Sequence, residues 1–247
     1  GGRNKCICLE FLNNSETLCL FGTSNMDTFD DALEFRFKAD DTWATAHEDD
    51  KAAVKRLWEW IYSCKGNPTK FLNEYAEYFG NDSPFAWYLI TDYFMAVDNR
   101  AKNMMLVTWD GKIWYFIPYD MDTVFGERND SVLKYDYTIT WETMDESIGS
   151  YAFAGHDSVL WELVRGCPDK LREVADKLRS TMSLEYVLKV FNEEMMGNWC
   201  ERIYNKDGIY KYIKPLTEGV TTADGTTSYY DYLYALQGSR YAHRTYT

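Results

Sequence analysis

Residues 98–126 read DNRAKNMMLVTWDGKIWYFIPYDMDTVFG, and no other stretch of the chain carries as much information about the fold. Two apolar runs, 104–108 and 112–117, flank the dipeptide Asp110-Gly111. Asp-Gly between two such runs is a strong signal for a tight turn between antiparallel strands. The pattern predicts a β-hairpin that brings the residues after position 117 back beside the residues before position 104.

Polar side chains with oxygen atoms lie on both sides of this hairpin. Asp98 and Asn103 stand five residues apart before it, and Asp120 and Asp122 follow it. A tight loop can aim the first pair into one cleft, and the second pair share one side if the strand continues. Such oxygens are the ligands of Mg²⁺, and phosphoryl transfer needs metal ions and a carboxylate that orients the attacking hydroxyl. The four residues therefore predict a metal-dependent site.

Two alternatives stay open for these residues. In a structural interpretation, Asp98 only closes a helix, Asn103 bonds the backbone, and the later acids bond nearby amides. In another, the acids at 120 and 122 form the Asp-x-Asp of a glycosyltransferase, although no nucleotide-binding βαβ region precedes them. A calcium loop that starts at Asp120 is excluded, because Val124 stands where an oxygen ligand is needed and Ser131 stands where a glutamate is needed.

Composition limits the classes of function. The 247 residues carry a formal net charge of −13, which argues against a nucleic-acid partner because phosphate binding needs a basic surface. Aromatic residues make up 17% of the chain, which fits an aromatic core or a carbohydrate-binding surface. No apolar run is long enough to predict a transmembrane helix. The six cysteines include no Cys-x-x-Cys pair, so we expect free thiols rather than a zinc site or a disulfide framework.

We expect an α+β fold in a single domain over residues 1–247, with a small β-rich part at 1–48 and a mainly helical part at 49–247. The hairpin at 104–117 interrupts the helical part. In the β-rich part, alternating or β-branched runs bounded by turn residues predict the strands. The expected strands are 6–12, 17–21 and 33–38, and the expected loop is 39–48.

Apolar residues that recur with a helical period predict the helices. The first helix starts near residue 49 and buries Val54, Leu57, Trp58 and Ile61; the second buries Phe71, Leu72, Tyr75 and Phe79. The third, 85–97 with Ser83 as its N-cap, is apolar on nearly all sides, so it is expected to hold Asp98 rigidly near the core. Further helices are expected at 157–165, 168–182, 184–203 (capped by Ser183) and after 228, with a loop at 221–227.

The order of these groups resembles a known family. Asp98-Asn-Arg-Ala-Lys-Asn103, followed by Trp114-Tyr-Phe-Ile-Pro-Tyr-Asp-Met-Asp-Thr-Val-Phe-Gly126, resembles the core of the CotH kinase-like family. That family has an atypical protein-kinase fold and is known from spore-coat proteins that phosphorylate other coat proteins. The resemblance implies Mg²⁺ and ATP as cofactors and a protein acceptor. It also implies Asp98 as catalytic base, Asn103 as metal ligand, and Asp120 or Asp122 as metal-binding acid.

The chain has no glycine-rich phosphate loop, so individual lysine and arginine side chains are the candidates for binding the nucleotide phosphates. Lys38, at the end of an alternating strand, is preferred over Lys5 and Arg36. Lys102, inside the loop between Asp98 and Asn103, is a second candidate that would neutralise the transferred phosphate. The alternative for either lysine is ordinary exposure to solvent. If the part that covers the nucleotide is missing, the domain is inactive.

A second resemblance concerns residues outside this core. Glu10–Asn14, Phe35–Phe37 and Leu236–Arg244 resemble parts of large virion proteins of tailed phages, of the tail or tail-knob kind, that carry a CotH-like segment. It implies a fragment of a longer protein, virion neighbours as partners, and a homo-oligomer within a larger assembly. The expected location is the virion or the cytoplasm, since the chain shows no signal peptide. Three functions therefore stay open: a CotH-like phosphotransferase, a virion structural module without catalysis, and a carbohydrate-active or carbohydrate-binding domain.

Overall fold

The computed structural model describes residues 5–11, 21–22, 29–36, 41–94, 96, 99–121, 158–190, 220–222 and 225–227. They combine antiparallel strands with helices, which confirms the α+β class. The helices are α1 (Phe29–Ala32), α2 (Glu48–Ser63), α3 (Pro68–Glu74), α4 (Ser83–Tyr93), α5 (Val159–Arg165), α6 (Pro168–Thr181) and α7 (Leu184–Val190). The strands are β1 (Ile7–Phe11), β2 (Leu33–Phe35), β3 (Asp41–Thr42), β4 (Met104–Thr108), β5 (Trp114–Pro118), β6 (Val220–Thr222) and β7 (Gly225–Thr227).

The chain forms two compact units, residues 1–176 and residues 177–247. The prediction of one domain over the whole chain stays a prediction. None of the helices in the described part is both long and apolar enough to cross a bilayer. In the same described part, Cys8, Cys64 and Cys167 are free thiols.

Five antiparallel strands form the main sheet, in the order β3-β2-β1-β4-β5. The predicted β4–β5 hairpin is confirmed, with Thr108 opposite Trp114 and Met104 opposite Pro118. At its turn, Gly111 has a φ of 72°, a left-handed conformation that glycine adopts without steric cost. β1 lies in the centre of the sheet, where Leu9 faces Phe35 of β2 on one side and Leu106 of β4 on the other.

The hairpin turn is closed by the side chain of Asp110. Its Oδ1 accepts hydrogen bonds from the backbone N–H groups of Lys112 (2.8 Å) and Ile113 (2.9 Å) and from the Thr108 hydroxyl (3.1 Å). Partial burial of Asp110 raises its pKa, but the hydrogen bonds from Ile113, Lys112 and Thr108 outweigh burial and leave the pKa below its ordinary value. The carboxylate form therefore stabilises the turn.

One face of the sheet packs on the helices through aromatic rings. Phe11 of β1 stacks on Trp58 of α2 at a centroid distance of 6.1 Å, and Phe116 of β5 contacts Trp87 of α4 at 5.7 Å and Trp161 of α5 at 5.5 Å. Trp58 and Trp161 are completely buried. Because aromatic side chains bury large apolar areas, these contacts hold the hairpin against α4 and α5.

Of the eight positions predicted to be buried in the helices over residues 48–79, six are buried, Tyr75 is half-buried and Leu72 is exposed. Val54, Leu57, Trp58 and Ile61 of α2 are all fully buried. In and after α3, Phe71 and Phe79 are buried, but Leu72 is 38% exposed, so its predicted burial is wrong. Leu72 lies one residue after the buried Phe71, about 100° further around the helix, and so faces solvent. The helix ends at Glu74 and a 3₁₀ turn, Tyr75–Glu77, follows, so the residues after Glu74 do not continue the α-helical face of Phe71.

The N-terminus of α4 differs from the prediction by one residue. The helix begins at Ser83, and Asp82, with a φ of 56°, is its N-cap. The Ser83 hydroxyl instead accepts a hydrogen bond from the Phe116 N–H on the outer edge of β5 (2.9 Å). The next outward N–H of β5, that of Trp114, donates to Tyr78 O (2.8 Å). The edge strand is thereby paired over its length, since Pro118 has no N–H to expose.

The C-terminus of α4 is four residues short of the predicted Val97, because the helix ends at Tyr93. Ala96 N donates to Thr91 O (2.9 Å), a five-residue turn that leaves the α-helical register. The Tyr88 carbonyl accepts a hydrogen bond from the Arg100 side chain. Ala96 therefore turns back toward the helix instead of extending it.

Two segments that were expected to be loops contain strands. Residues 41–42, within the predicted loop 39–48, form β3 against β2. Residues 220–222 and 225–227 pair antiparallel as β6 and β7, so the loop predicted at 221–227 is a hairpin. The predictions for 12–20, 191–219 and 228–247 lie outside the described residues.

Candidate active site

The loop that precedes β4, residues 99–103, is built on the side chain of Arg100. This guanidinium is fully buried. Its Nε donates to Thr91 Oγ1 (2.9 Å), its Nη2 donates to Tyr88 O (3.1 Å), and the Nη2 atom lies 3.6 Å from Asp92 Oδ1. It also lies over the Tyr88 ring at 4.1 Å from the centroid, a cation–π contact. The loop is therefore tied to the last two turns of α4.

Burial lowers the pKa of Arg100 from 12.5 to about 10, and its contacts with Tyr88 and Asp92 only partly offset this. The group still carries its charge at neutral pH. Two indole N–H groups hold the backbone of the same loop: Trp87 Nε1 donates to Asn99 O (2.7 Å) and Trp161 Nε1 donates to Arg100 O (2.8 Å). Because α4 and α5 supply these donors, helices on two sides fix the loop.

Asn103, a predicted metal ligand, lies between this loop and β4. It is 4% exposed and has a φ of 51°, a left-handed conformation that asparagine tolerates better than most residues. Its N–H donates to Phe11 O on the neighbouring strand β1 (3.0 Å). Its side-chain amide forms no hydrogen bond with any part of the chain that the structure describes. The Asn103 side chain is therefore held in place by its backbone and is available to a ligand.

Asp120 lies at the same end of the hairpin. The last pair of the β4–β5 ladder is Met104 with Pro118, so Asn103 and Tyr119 are the next facing positions and Asp120 follows. Asp120 is exposed and has a φ of 47°, so the extended strand stops before it. The condition under which Asp120 and Asp122 share one side, a continuing strand, is therefore not met.

Asn99 joins these two segments. Its side chain is completely buried, and its Nδ2 donates to the carbonyl oxygen of Asn103 and to the carbonyl oxygen of Tyr119 (3.1 Å). Its Oδ1 is buried and has no hydrogen-bond partner. The Asn99 side chain thus connects the residue that precedes β4 to the residue that precedes Asp120.

The six predicted site residues fall into two groups. Asn103, Asp120 and Lys102 are described, and the structure places Asn103 and Asp120 at one end of the hairpin, with the half-buried Lys102 next to Asn103 in the loop. Asp98, Asp122 and Lys38 lie outside the described residues, so their assigned roles stay predictions.

The donors at this end fit a hard cation. An amide oxygen from Asn103 and a carboxylate from Asp120 are the oxygen ligands that Mg²⁺ prefers. Over the described ranges no three acids, histidines or cysteines cluster as a complete metal centre. A full set of protein ligands there would therefore have to include a residue such as Asp98 or Asp122.

Two cations considered for the nucleotide phosphates lie toward the other end of the sheet. Arg36 follows β2, where its N–H bonds Cys8 O (2.8 Å), and its side chain pairs with Glu10 and Glu34. Lys5 lines an open groove of about 700 Å³ beside the hairpin turn, together with Gly111 and other residues of α2 and the turn. This groove and the Asn103 end are separated by the length of β4.

Asn99 and Arg100 were not predicted to have a role. The signal for Arg100 was present in the sequence: Thr91 and Asp92 are the two polar residues in the otherwise apolar helix α4, and both contact Arg100. No comparable signal marks Asn99, because its partners are backbone carbonyls, which every residue has.

The comparison with protein families agrees with this geometry. The family model described as CotH kinase protein matches residues 13–219, most of the chain. The chain therefore belongs to the CotH kinase family, as the motif at 98–126 predicted. No curated protein matches the chain.

Proposed function

We propose that this member of the CotH kinase family is a Mg²⁺- and ATP-dependent phosphotransferase that acts on hydroxyl groups of a protein acceptor. The observation that carries the proposal is the end of the β4–β5 hairpin, where Asn103 and Asp120 lie at neighbouring positions. Their side chains form no hydrogen bonds within the described part of the chain. A buried asparagine that is held only through its backbone favours a role for its amide oxygen.

In the proposed reaction, Asp98 orients the acceptor hydroxyl and accepts its proton, while Asn103 and either Asp120 or Asp122 hold Mg²⁺. The bound ion neutralises phosphate charge as the phosphoryl group is transferred. Lys102, half-buried in the same loop, neutralises the transferred group, and Lys38 binds the phosphates of the nucleotide. Because phosphoryl transfer needs positioning more than covalent help, the rigid attachment of the 99–103 loop to α4 and α5 suits this chemistry.

Calorimetric titration of the full chain with ATP in excess Mg²⁺ tests the proposal. The wild type should bind, and Asn103→Ala should weaken binding at least about tenfold, since it removes a ligand. Asp98→Asn should bind but fail to transfer labelled phosphate from ATP to the chain or to an added acceptor protein. The control is Asp169→Asn, which also removes one carboxylate, at a side chain on α6 that is 94% exposed. It should bind nucleotide and transfer phosphate like the wild type.

Absence of any heat at millimolar nucleotide with the wild type would overturn the phosphotransferase proposal. Binding without phosphate transfer, in the wild type and in Asp98→Asn alike, would identify a kinase-like domain that binds nucleotide but has lost catalysis. Loss of binding in Asp169→Asn to the same degree as in Asn103→Ala would show that overall charge, and not the hairpin end, controls affinity.

A second candidate is a virion structural module of a tailed phage that retains the kinase-like frame. The position of Lys5 and Arg36, toward the end of the sheet opposite Asn103, favours a domain with weak nucleotide binding. This candidate places the protein in the virion rather than the cytoplasm and gives it virion neighbours and copies of itself as partners. Sedimentation velocity checks it, since a structural module should form rings or larger assemblies and a lone monomer contradicts it.

A third candidate, carbohydrate binding, rests on Trp109, which is 63% exposed on the hairpin turn and contacts Tyr115 edge to face. An exposed aromatic ring of this kind can stack on a sugar. Affinity electrophoresis through gels that contain soluble polysaccharides tests this candidate. Retardation that Trp109→Ala removes would favour it, and equal mobility in all gels would exclude it.

A further inference from the structure

The side chain of Asn99 uses both of its N–H donors on the two segments that form the candidate site. An amide Nδ2 has two hydrogens. One bonds the carbonyl of Asn103, and the other bonds the carbonyl of Tyr119 at 3.1 Å. Asn103 carries one candidate metal ligand, and Tyr119 immediately precedes the other, Asp120. A single side chain thus spans the two halves of the site.

Backbone pairing between β4 and β5 does not connect these two segments beyond the last pair of the ladder. The β4–β5 pairing ends at Met104 and Pro118. After Pro118 the chain leaves the extended conformation, with a φ of 47° at Asp120. The position of the Tyr119–Asp120 peptide relative to Asn103 therefore depends on the hydrogen bonds from Asn99.

Stability alone does not account for an asparagine at this position. The residue is completely buried, and its Oδ1 has no partner, so part of its polar surface is desolvated without compensation. An apolar side chain of similar shape would avoid that cost but would leave the carbonyls of Asn103 and Tyr119 without this donor. The asparagine is explained if both N–H donors are needed to fix the two carbonyls relative to each other.

We propose that Asn99 is a positioning residue, which sets the separation of the Asn103 and Asp120 side chains and thereby the affinity of the site for Mg²⁺ with nucleotide. Asn99 acts through the backbone of its two partners and touches neither the ion nor the nucleotide. The proposal rests on the proposed function, because it assigns Asn103 and Asp120 to metal binding.

The test compares Asn99→Leu with Thr108→Val. Asn99→Leu keeps the branched arrangement of side-chain heavy atoms and removes both donors. Thr108→Val is a matched control at the other end of the same hairpin, where the Thr108 hydroxyl is also buried and also makes two hydrogen bonds, to Asp110 and Gly111. In calorimetry with ATP and excess Mg²⁺, Asn99→Leu should bind about 10–100-fold more weakly, the usual effect of a residue that orients metal ligands. Thr108→Val should stay within about threefold of the wild type.

Hydrogen–deuterium exchange gives a readout that needs no nucleotide. Peptides that cover residues 117–121 should exchange faster in Asn99→Leu than in the wild type, and Thr108→Val should leave them unchanged. Equal exchange in Asn99→Leu and the wild type, or an Asn99→Leu affinity within about threefold of the wild type, overturns the positioning role. A wild type that binds no nucleotide overturns the proposed function instead, while the exchange result still decides whether Asn99 holds the two segments together.

If Asn99→Leu does not fold, the wild type answers the structural question. Both Nδ2 protons of Asn99 should exchange with solvent much more slowly in NMR spectra than those of the exposed Asn73. Fast exchange at Asn99 would show that its amide does not hold the two carbonyls, and the proposal would fail.

Discussion

Replacement of Arg100 should destabilise the protein, and a comparison of two variants should separate the packing of the side chain from its hydrogen bonds. Arg100→Ala removes two hydrogen bonds from a charged donor, each with a net worth of about 1.5–3 kcal/mol, and leaves Asp92 without its nearest cation. The relief of desolvation offsets part of this loss, since burial lowers the pKa of Arg100 from 12.5 to about 10. The cavity that the side chain leaves adds a further cost.

We therefore expect Arg100→Ala to lower the free energy of unfolding by about 3–5 kcal/mol, the range found when one partner of a buried ion pair is removed. Arg100→Met should cost less, about 1–3 kcal/mol, because it fills most of the space and removes the buried charge. For a chain of this length the alanine variant should melt about 6–20 °C lower. The difference between the two variants measures the packing contribution of the side chain.

Urea unfolding followed by tryptophan fluorescence is the appropriate assay, because Trp87 and Trp161 bond the backbone beside Arg100. Arg172→Ala is the control, since that arginine is 72% exposed and its pair with Asp169 should contribute less than about 1 kcal/mol. If both Arg100 variants unfold within about 1 kcal/mol of the wild type with an unchanged m-value, the 99–103 loop is not supported by Arg100 and the reasoning is refuted.

Three further changes probe the described structure. Gly22→Ala should cost about 2–5 kcal/mol in urea unfolding, because φ is +76° there and the new Cβ would lie 2.6 Å from Ile61 Cγ2 and 2.8 Å from Val159 Cβ; combined with Ile61→Ala, which removes that Cγ2, it should cost less than the sum of the two single variants, and additive losses would contradict the contact. The folded pKa of Asp110 is lowered, so its contribution is present above the unfolded pKa of about 4 and is lost as pH falls through the folded value. The stability advantage of the wild type over Asp110→Asn should therefore shrink between pH 5 and pH 2 in thermal melts, and a constant difference would refute it. Asn103→Gly should leave stability within about 1 kcal/mol of the wild type, since glycine adopts the left-handed backbone more easily, yet it should weaken Mg²⁺-dependent nucleotide binding at least about tenfold in calorimetry, as Asn103→Ala does; wild-type affinity would exclude the side chain as a ligand.

The sequence predicted the parts of the fold that depend on local signals. Asp110-Gly111 between two apolar runs predicted the β4–β5 hairpin, and the strand ends lie within two residues of the predicted ones. The same dipeptide occurs at Asp224-Gly225, but the strands there have three residues each, too few for alternation to be recognised. Sheet order was beyond prediction, because β1 pairs with β4, almost 100 residues away in sequence, and no local pattern specifies such a partner.

The end of α4 shows why the candidate site was only partly predictable. The run Phe94–Val97 is as apolar as the helix before it, so periodicity alone extends the helix to the loop. In the structure the buried Arg100 side chain donates a hydrogen bond to the Tyr88 carbonyl of the helix, and the chain turns at Ala96. This contact forms only when the loop folds back against α4. The residue types at 98 and 103 could be recognised from spacing, but Asn99 between them could not, because its partners are backbone carbonyls.

Asparagine and aspartate residues with a left-handed backbone conformation occur at two places in the described chain. The contacts of their side chains indicate a structural role at one place and a functional role at the other. Asn81 and Asp82 precede α4, and the Asp82 carboxylate accepts a hydrogen bond from the Tyr75 hydroxyl (2.6 Å) and pairs with Lys170 (3.0 Å). Its unusual backbone is explained by these contacts.

Asn103 and Asp120 have the same backbone conformation, which costs about 1–2 kcal/mol at a non-glycine residue, although asparagine and aspartate bear it best. Glycine would adopt it without that cost, and the hydrogen bonds of the Asn103 backbone would survive the change. Neither side chain bonds the described chain in return. Two oxygen-bearing side chains kept at strained, neighbouring positions are therefore better explained by a ligand that they bind than by the stability of the fold.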